Sequence, residues 1–175
     1  MSVVDSPGLV GTAFCPSGIL VGMKPEDVLD DLGLSLPEAP APVAAYVPAV
    51  RTGDLVFVSG QLPFENGELR VRGRVPDQID ADAAADAARL CALNALAVLA
   101  AQLEEGLSQV QQIVRLGVFV QSEPGFGGQP SVANGASELM QQVFGEQGRH
   151  ARAAVGVIAL PLNAPVEIEL LARVR

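Results

Sequence analysis

Residues 150–172 read HARAAVGVIALPLNAPVEIELLA, two apolar extended runs that nonetheless keep Arg152, Glu167 and Glu169. An unpaired charge on a packed strand costs several kcal/mol even after relaxation, so these side chains need partners or water. If the 160–165 stretch LPLNAP closes a regular antiparallel hairpin, Val155, Val157 and Ala159 share a core face with Val166, Ile168, Leu170 and Ala172. The other face then carries Arg152, Ala154, Gly156 and Ile158 with Glu167, Glu169, Leu171 and Arg173. At about 3.3 Å per residue, Arg152 and Glu167 lie roughly 20 Å apart in one chain and cannot meet. Two outcomes remain: the charges are solvated on an exposed sheet, or the face associates with a second copy whose Glu167 approaches Arg152.

Other chemistries fail on residue type or spacing. Ser59 stands in VSGQ rather than in a G-x-S-x-G elbow, and no spacing rule joins it to His150, the only histidine. One histidine and two separated cysteines are too few for the usual zinc ligand set, and no glycine loop of the phosphate-cradling kind precedes a helix. No metal or other cofactor is expected. Eleven basic against twenty acidic residues, net charge -9, work against a polyanionic partner such as nucleic acid. Arg70, Arg72 and Arg74 at period two predict three guanidinium groups on one side of a strand, either a solvated edge or an anion-binding patch.

The elements that must position these residues follow from periodicity. Pro25–Leu34 predicts a short helix stopped at Gly33, and Tyr46–Arg51 with Leu55–Ser59 a β-hairpin about Thr52-Gly53-Asp54. An Asn66-Gly67 turn follows. A long helix is expected over 79–105, with Cys91 as a small buried thiol, then a strand in which Val114, Leu116, Val118 and Val120 alternate. A second helix runs from Ser131 to Phe144 and ends at GEQG. This order indicates an α+β fold, with two helices covering one face of a mixed sheet. Residues 1–22 lack a basic n-region and any periodic apolar pattern, and read as a disordered extension. A single domain is expected over 23–175. The composition predicts a soluble protein with no membrane span, and two unpaired cysteines suit a reducing cytoplasm.

Several landmarks resemble the YjgF/RidA family of small imine and enamine deaminases: Tyr46-Val47, SGQLP at Ser59–Pro63, IVRLGVFV at Ile113–Val120, Asn134, and the closing ARAAVGVIALPLNAPVEIELLA. The resemblance spans about residues 40–175. It implies a chorismate-mutase-like fold and a homotrimer whose sheets face one another, with three clefts between subunits. It also implies that Arg152 holds a substrate carboxylate, that Glu167 positions or activates the hydrolytic water, and that Tyr46, Ser59, Gly60, Asn134 and Ala154 line the same cleft. A guanidinium fork suits a 2-imino acid's carboxylate, and one carboxylate suffices to deliver water to an already electrophilic carbon.

The chain departs from the family pattern at His150, where proline is common, at Ala153 and Ala154, where serine and cysteine are often seen, and in a longer EPGFGGQP loop. His150 is therefore either a titrating group beside the site or a loop residue. The expected activity is hydrolytic deamination of 2-aminoacrylate-type imino and enamino acids to 2-keto acids and ammonia. The alternatives are a non-catalytic trimer that binds small carboxylates as a sensor or chaperone-like partner and, less favoured by charge and histidine count, a ribonuclease.

Overall fold

The computed structural model describes residues 23–39 and 46–175; the expectations for residues 1–22, Cys15 among them, fall outside them. Helix α1 (Pro25–Asp31) starts on a proline and stops where Gly33 takes φ +70°. Strands β1 (Ala49–Thr52) and β2 (Leu55–Gln61) form the expected hairpin, and β3 (Phe64–Glu65) and β4 (Glu68–Leu69) close over the left-handed pair Asn66-Gly67. Helix α2 (Ala81–Ala100) is capped by Asp80, whose Oδ1 accepts from the Ala83 N–H at 2.7 Å. It ends five residues short of the expected stop, in turns that lead to a 3₁₀ segment, Gly106–Gln109. By length and composition α2 matches a membrane span, contrary to the sequence expectation, but 67% of its most apolar stretch is buried inside this fold.

Strand β5 (Val110–Gln121), helix α3 (Gln129–Phe144), strand β6 (Ala151–Val157) and strand β7 (Val166–Val174) complete the chain. The main sheet runs β1-β2-β7-β5-β6, with β5 and β6 parallel and the other pairs antiparallel. Helices α2 and α3 pack together on one face of it, and α1 leans on α3. The core lies between: Leu96, Leu99, Leu139 and Met140 from the helices meet Val56, Leu116, Val118, Ile168 and Leu170 from the sheet, all buried. This is the expected α+β architecture.

Two expectations fail. The closing segment is not a hairpin, because β5 lies between β6 and β7 and pairs with both. The 158–165 connection therefore spans two strand spacings. It is anchored on Gln121, whose Oε1 accepts from Leu160 N–H at 2.7 Å and whose Nε2 donates to Asn163 Oδ1 at 2.6 Å. The arginine strand does not form either. Gly73 at φ +127° breaks the extended run, Arg70 pairs with Glu65, and Arg74 pairs with Glu123 and Asp77.

Candidate active site

Strand register decides where the charged residues point. Arg152 pairs with Leu116, which pairs in turn with Leu170, and both leucines are buried beneath the helices. Arg152 thus lies on the helix side, at the sheet's free β6 edge. Glu167 pairs with Phe119, one position off that parity, and so projects from the opposite, open face. The two residues do not share a face, as the hairpin reading required. The β7 side of that reading holds, with Val166, Ile168, Leu170 and Ala172 all buried. The β6 side is reversed: Ala154 packs on the core and Val155 is exposed. Strands about 4.8 Å apart, with a three-residue offset along β5, separate the two Cα atoms by roughly 14 Å. Within one chain they remain apart, with the sheet itself between them.

Around Arg152 a first group of residues assembles. Its Nη1 donates to Asn134 Oδ1 at 2.9 Å and to Ser137 Oγ at 3.0 Å, and Nη2 donates to the Pro130 carbonyl at 3.3 Å. A guanidinium has five N–H donors, and Nε–H with one Nη2 hydrogen has no acceptor among the described residues. Helix α3 can present Asn134 and Ser137 here because Gly135 lies against α2, where a Cβ would stand 2.0 Å from the Ala85 carbonyl oxygen. Ala154 shares the strand face with Arg152. Ser137 and the Pro130 carbonyl belong to this group although residue patterns did not single them out. The available signal was the i, i+3 spacing of Asn134 and Ser137, which puts them side by side on a helix.

A second group gathers about Glu167. The β2–β7 register shifts between Val58 and Gln61, and this irregularity presents Ser59 and Gly60 to β7. Gly60 is so close to Glu167 that a Cβ would lie 1.8 Å from its Oε1. Ser59 Oγ donates to the Val47 carbonyl at 2.9 Å, and its N–H donates to the Pro48 carbonyl at 2.9 Å, tying the segment that carries exposed Tyr46 to the bulge. Partial burial raises the Glu167 carboxyl above its ordinary value, and nearby Glu169 adds to the shift. A proton-exchanging carboxyl is of most use when its pKa moves toward neutrality.

Beside the Glu167 group the open sheet face is largely apolar. A depression of about 280 Å³ is lined by Val50, Phe57, Ser59, Arg115, Glu169 and Leu171, and Phe57 and Val155 are 47% and 45% exposed. Cys91 takes no part. It is fully buried in α2, and burial pushes its thiol well above the ordinary range. No cluster of three or more metal-ligating side chains occurs among the described residues.

A model of the family described as Endoribonuclease L-PSP matches residues 36–174. Protein TCP17 of Trypanosoma cruzi is 44% identical over 144 residues, covering 82% of this chain and 89% of that protein. A 2-iminobutanoate/2-iminopropanoate deaminase of Dermatophagoides farinae is 30% identical over 138 residues, covering 78% and 91%. The crystal structure of the protein Atu1372 of Agrobacterium tumefaciens, of unknown function, is 46% identical, with a TM-score of 0.82 over 86% of this chain and 92% of that one.

Proposed function

Because the chain belongs to the Endoribonuclease L-PSP family, the YjgF/RidA family its landmarks resemble, we propose that it deaminates reactive 2-imino and enamino acids hydrolytically, as a homotrimer. In this reading Arg152, Asn134 and Ala154 of one subunit face Tyr46, Ser59, Gly60 and Glu167 of the next. The observation that carries it is the Arg152 clamp. Three hydrogen bonds orient the guanidinium while two donors stay unspent, which suits bidentate capture of a small carboxylate. Net charge -9 favours a small anion over RNA.

The reaction follows from the two groups. Arg152 holds the carboxylate of R-C(=NH2+)-COO-, leaving the iminium carbon toward the neighbouring Glu167. As water adds to that carbon, Glu167 accepts one of its protons and returns it to the amine; as the C–N bond breaks, the remaining hydroxyl proton passes to the departing ammonia and the carbonyl forms. The products are the 2-keto acid and ammonium, and the carboxylate is regenerated. An enamino acid enters the same path after protonation at carbon.

The test is ammonia release from imines formed in situ by an amino-acid oxidase. Wild type should accelerate release, and Arg152→Ala should lose at least 100-fold in kcat/KM, as when one partner of a charged contact is removed. No acceleration by wild type, or full activity in Arg152→Ala, refutes the reading.

One observation favours a second reading. A single chain carries the carboxylate clamp on one face and the Glu167 carboxylate on the other, so the fold is also suited to a carboxylate-binding trimer without turnover. Saturable keto-acid binding in calorimetry, with no ammonia released, would select it.

A further inference from the structure

Behind Arg152 runs a chain of hydrogen bonds whose direction is set by its far end. His150 Nδ1 lies 2.6 Å from the Gly148 carbonyl oxygen, and a carbonyl only accepts, so Nδ1 carries the hydrogen. In the neutral ring Nε2 is then an acceptor, and Ser137 Oγ, 3.1 Å away, donates to it. With its own hydrogen committed, Ser137 Oγ accepts from Arg152 Nη1 at 3.0 Å. Every donor therefore points away from the guanidinium: Arg152 to Ser137, Ser137 to His150, His150 to Gly148. Aligned hydrogen bonds polarise one another, and this polarity places negative ends toward the cation.

Both ends of the chain are held. Gly148 is buried against α3, where a Cβ would sit 2.0 Å from the Met140 carbonyl oxygen. Ser137 is buried in the stripe of α3 that meets the core. Burial keeps the imidazole below its ordinary pKa, the Gly148 hydrogen bond opposes that shift, and the Arg152 charge adds to it, so the neutral ring prevails at pH 7.

We propose that Ser137 and His150 are positioning residues that lock the Arg152 guanidinium into the orientation in which its unspent donors face the carboxylate site. The proposal rests on the reading of Arg152 as the carboxylate clamp. It adds that the clamp is pre-organised by a serine and a histidine that never touch the ligand.

The chain's single histidine makes the test direct, since nitrogen-detected NMR gives one imidazole signal set. At pH 7 His150 should be neutral and protonated on Nδ1; the Nε2–H tautomer would overturn the proposal with no ligand needed. Ser137→Ala and His150→Ala should each raise KM about tenfold, the usual effect of losing one hydrogen bond to a charged group, while kcat changes less than threefold. The double variant should be no worse than either single, because both act through one chain. His150→Gln, which returns an acceptor to the Nε2 position, should recover most of the affinity. Additive losses, unchanged KM, or failure of His150→Gln where Ser137→Ala folds and binds weakly would refute it. Keto-acid Kd by calorimetry on the same variants separates the two claims. Turnover absent with the Kd pattern intact overturns the deaminase reading alone, whereas turnover present with a flat Kd and KM pattern overturns the positioning proposal alone.

Discussion

Substituting Gly60→Ala perturbs the Glu167 carboxylate, the group proposed to act on water, without touching the core. The added methyl would stand 1.8 Å from Glu167 Oε1, 2.7 Å from Cδ and 3.0 Å from Cγ, where ordinary contact begins at 3.4 Å. Glu167 must therefore withdraw by about 1.6 Å, and the end of a glutamate can do so by rotating. The fold should survive, because Gly60 has no left-handed φ and alanine in its place restricts the unfolded chain by about 0.5–1 kcal/mol. That gain roughly offsets the cost of moving the carboxylate, so Tm should change by no more than about 4 °C. Catalysis should not survive so well. A misplacement of about 1 Å costs on the order of 100-fold in rate, near 2.7 kcal/mol on the barrier. The assay is ammonia release with paired thermal melts, and the loss should fall on kcat more than on KM, since Arg152 is untouched. A Gly60→Ala protein that melts normally and keeps kcat within threefold of wild type would refute the placement of Glu167 as the group acting on water.

Glu167→Gln should abolish turnover and yet stabilise the protein at neutral pH. The folded-state pKa is raised above the ordinary 4.5, so the native state binds the extra proton between that value and the folded one. Stability conferred by the neutral acid is present below pH 4.5 and is lost as pH rises through the raised value. Glutamine removes that loss, so a higher Tm at pH 8 is expected, with the difference shrinking toward pH 4; equal melting at pH 8 would contradict it. Subunit mixing tests the shared cleft. Arg152→Ala and Glu167→Ala, each inactive alone, should recover about a quarter of wild-type activity when refolded together in equal amounts as a trimer. No recovery, or a fully active monomer by light scattering, would exclude a site built across subunits.

Much of this architecture was legible in residue order, and the exceptions share a cause. The β1–β2 hairpin, the Asn66-Gly67 turn and both main helices are written locally, in turn residues, caps and 3.6-residue periodicity. The inward parity of β7 was also legible, since Val166, Ile168, Leu170 and Ala172 leave no other apolar face. What could not be read was the partner of each strand. Nothing near residue 160 announces that a strand from residues 110–121 will lie between two runs adjacent in sequence. The parity of β6 was ambiguous for a second reason. Apart from Arg152 its residues are small or apolar on both faces, so the alternation marks neither as the inward one. In β5 the irregularity between Ile113 and Arg115 shifts the alternation, so Val114 falls outside the buried set that Leu116, Val118 and Val120 form. For the candidate site, the charges of Arg152 and Glu167 stood out by type, but their division between two faces did not, because that division is a consequence of register.

Strand β7 sits at the middle of the sheet although it comes last in the chain, and this sets the order in which the protein can be completed. Before it arrives, the β1–β2 hairpin and the parallel β5–β6 pair are separate ribbons with no backbone bonds between them. Each would expose an edge that invites the wrong partner. Pairing of Val166–Val174 with β2 and β5 joins the ribbons and brings Glu167 beside Gly60 in the same event. On the ribosome, such a chain cannot close this sheet until β7 has emerged, so the Glu167 carboxylate and the sheet's continuity are acquired together.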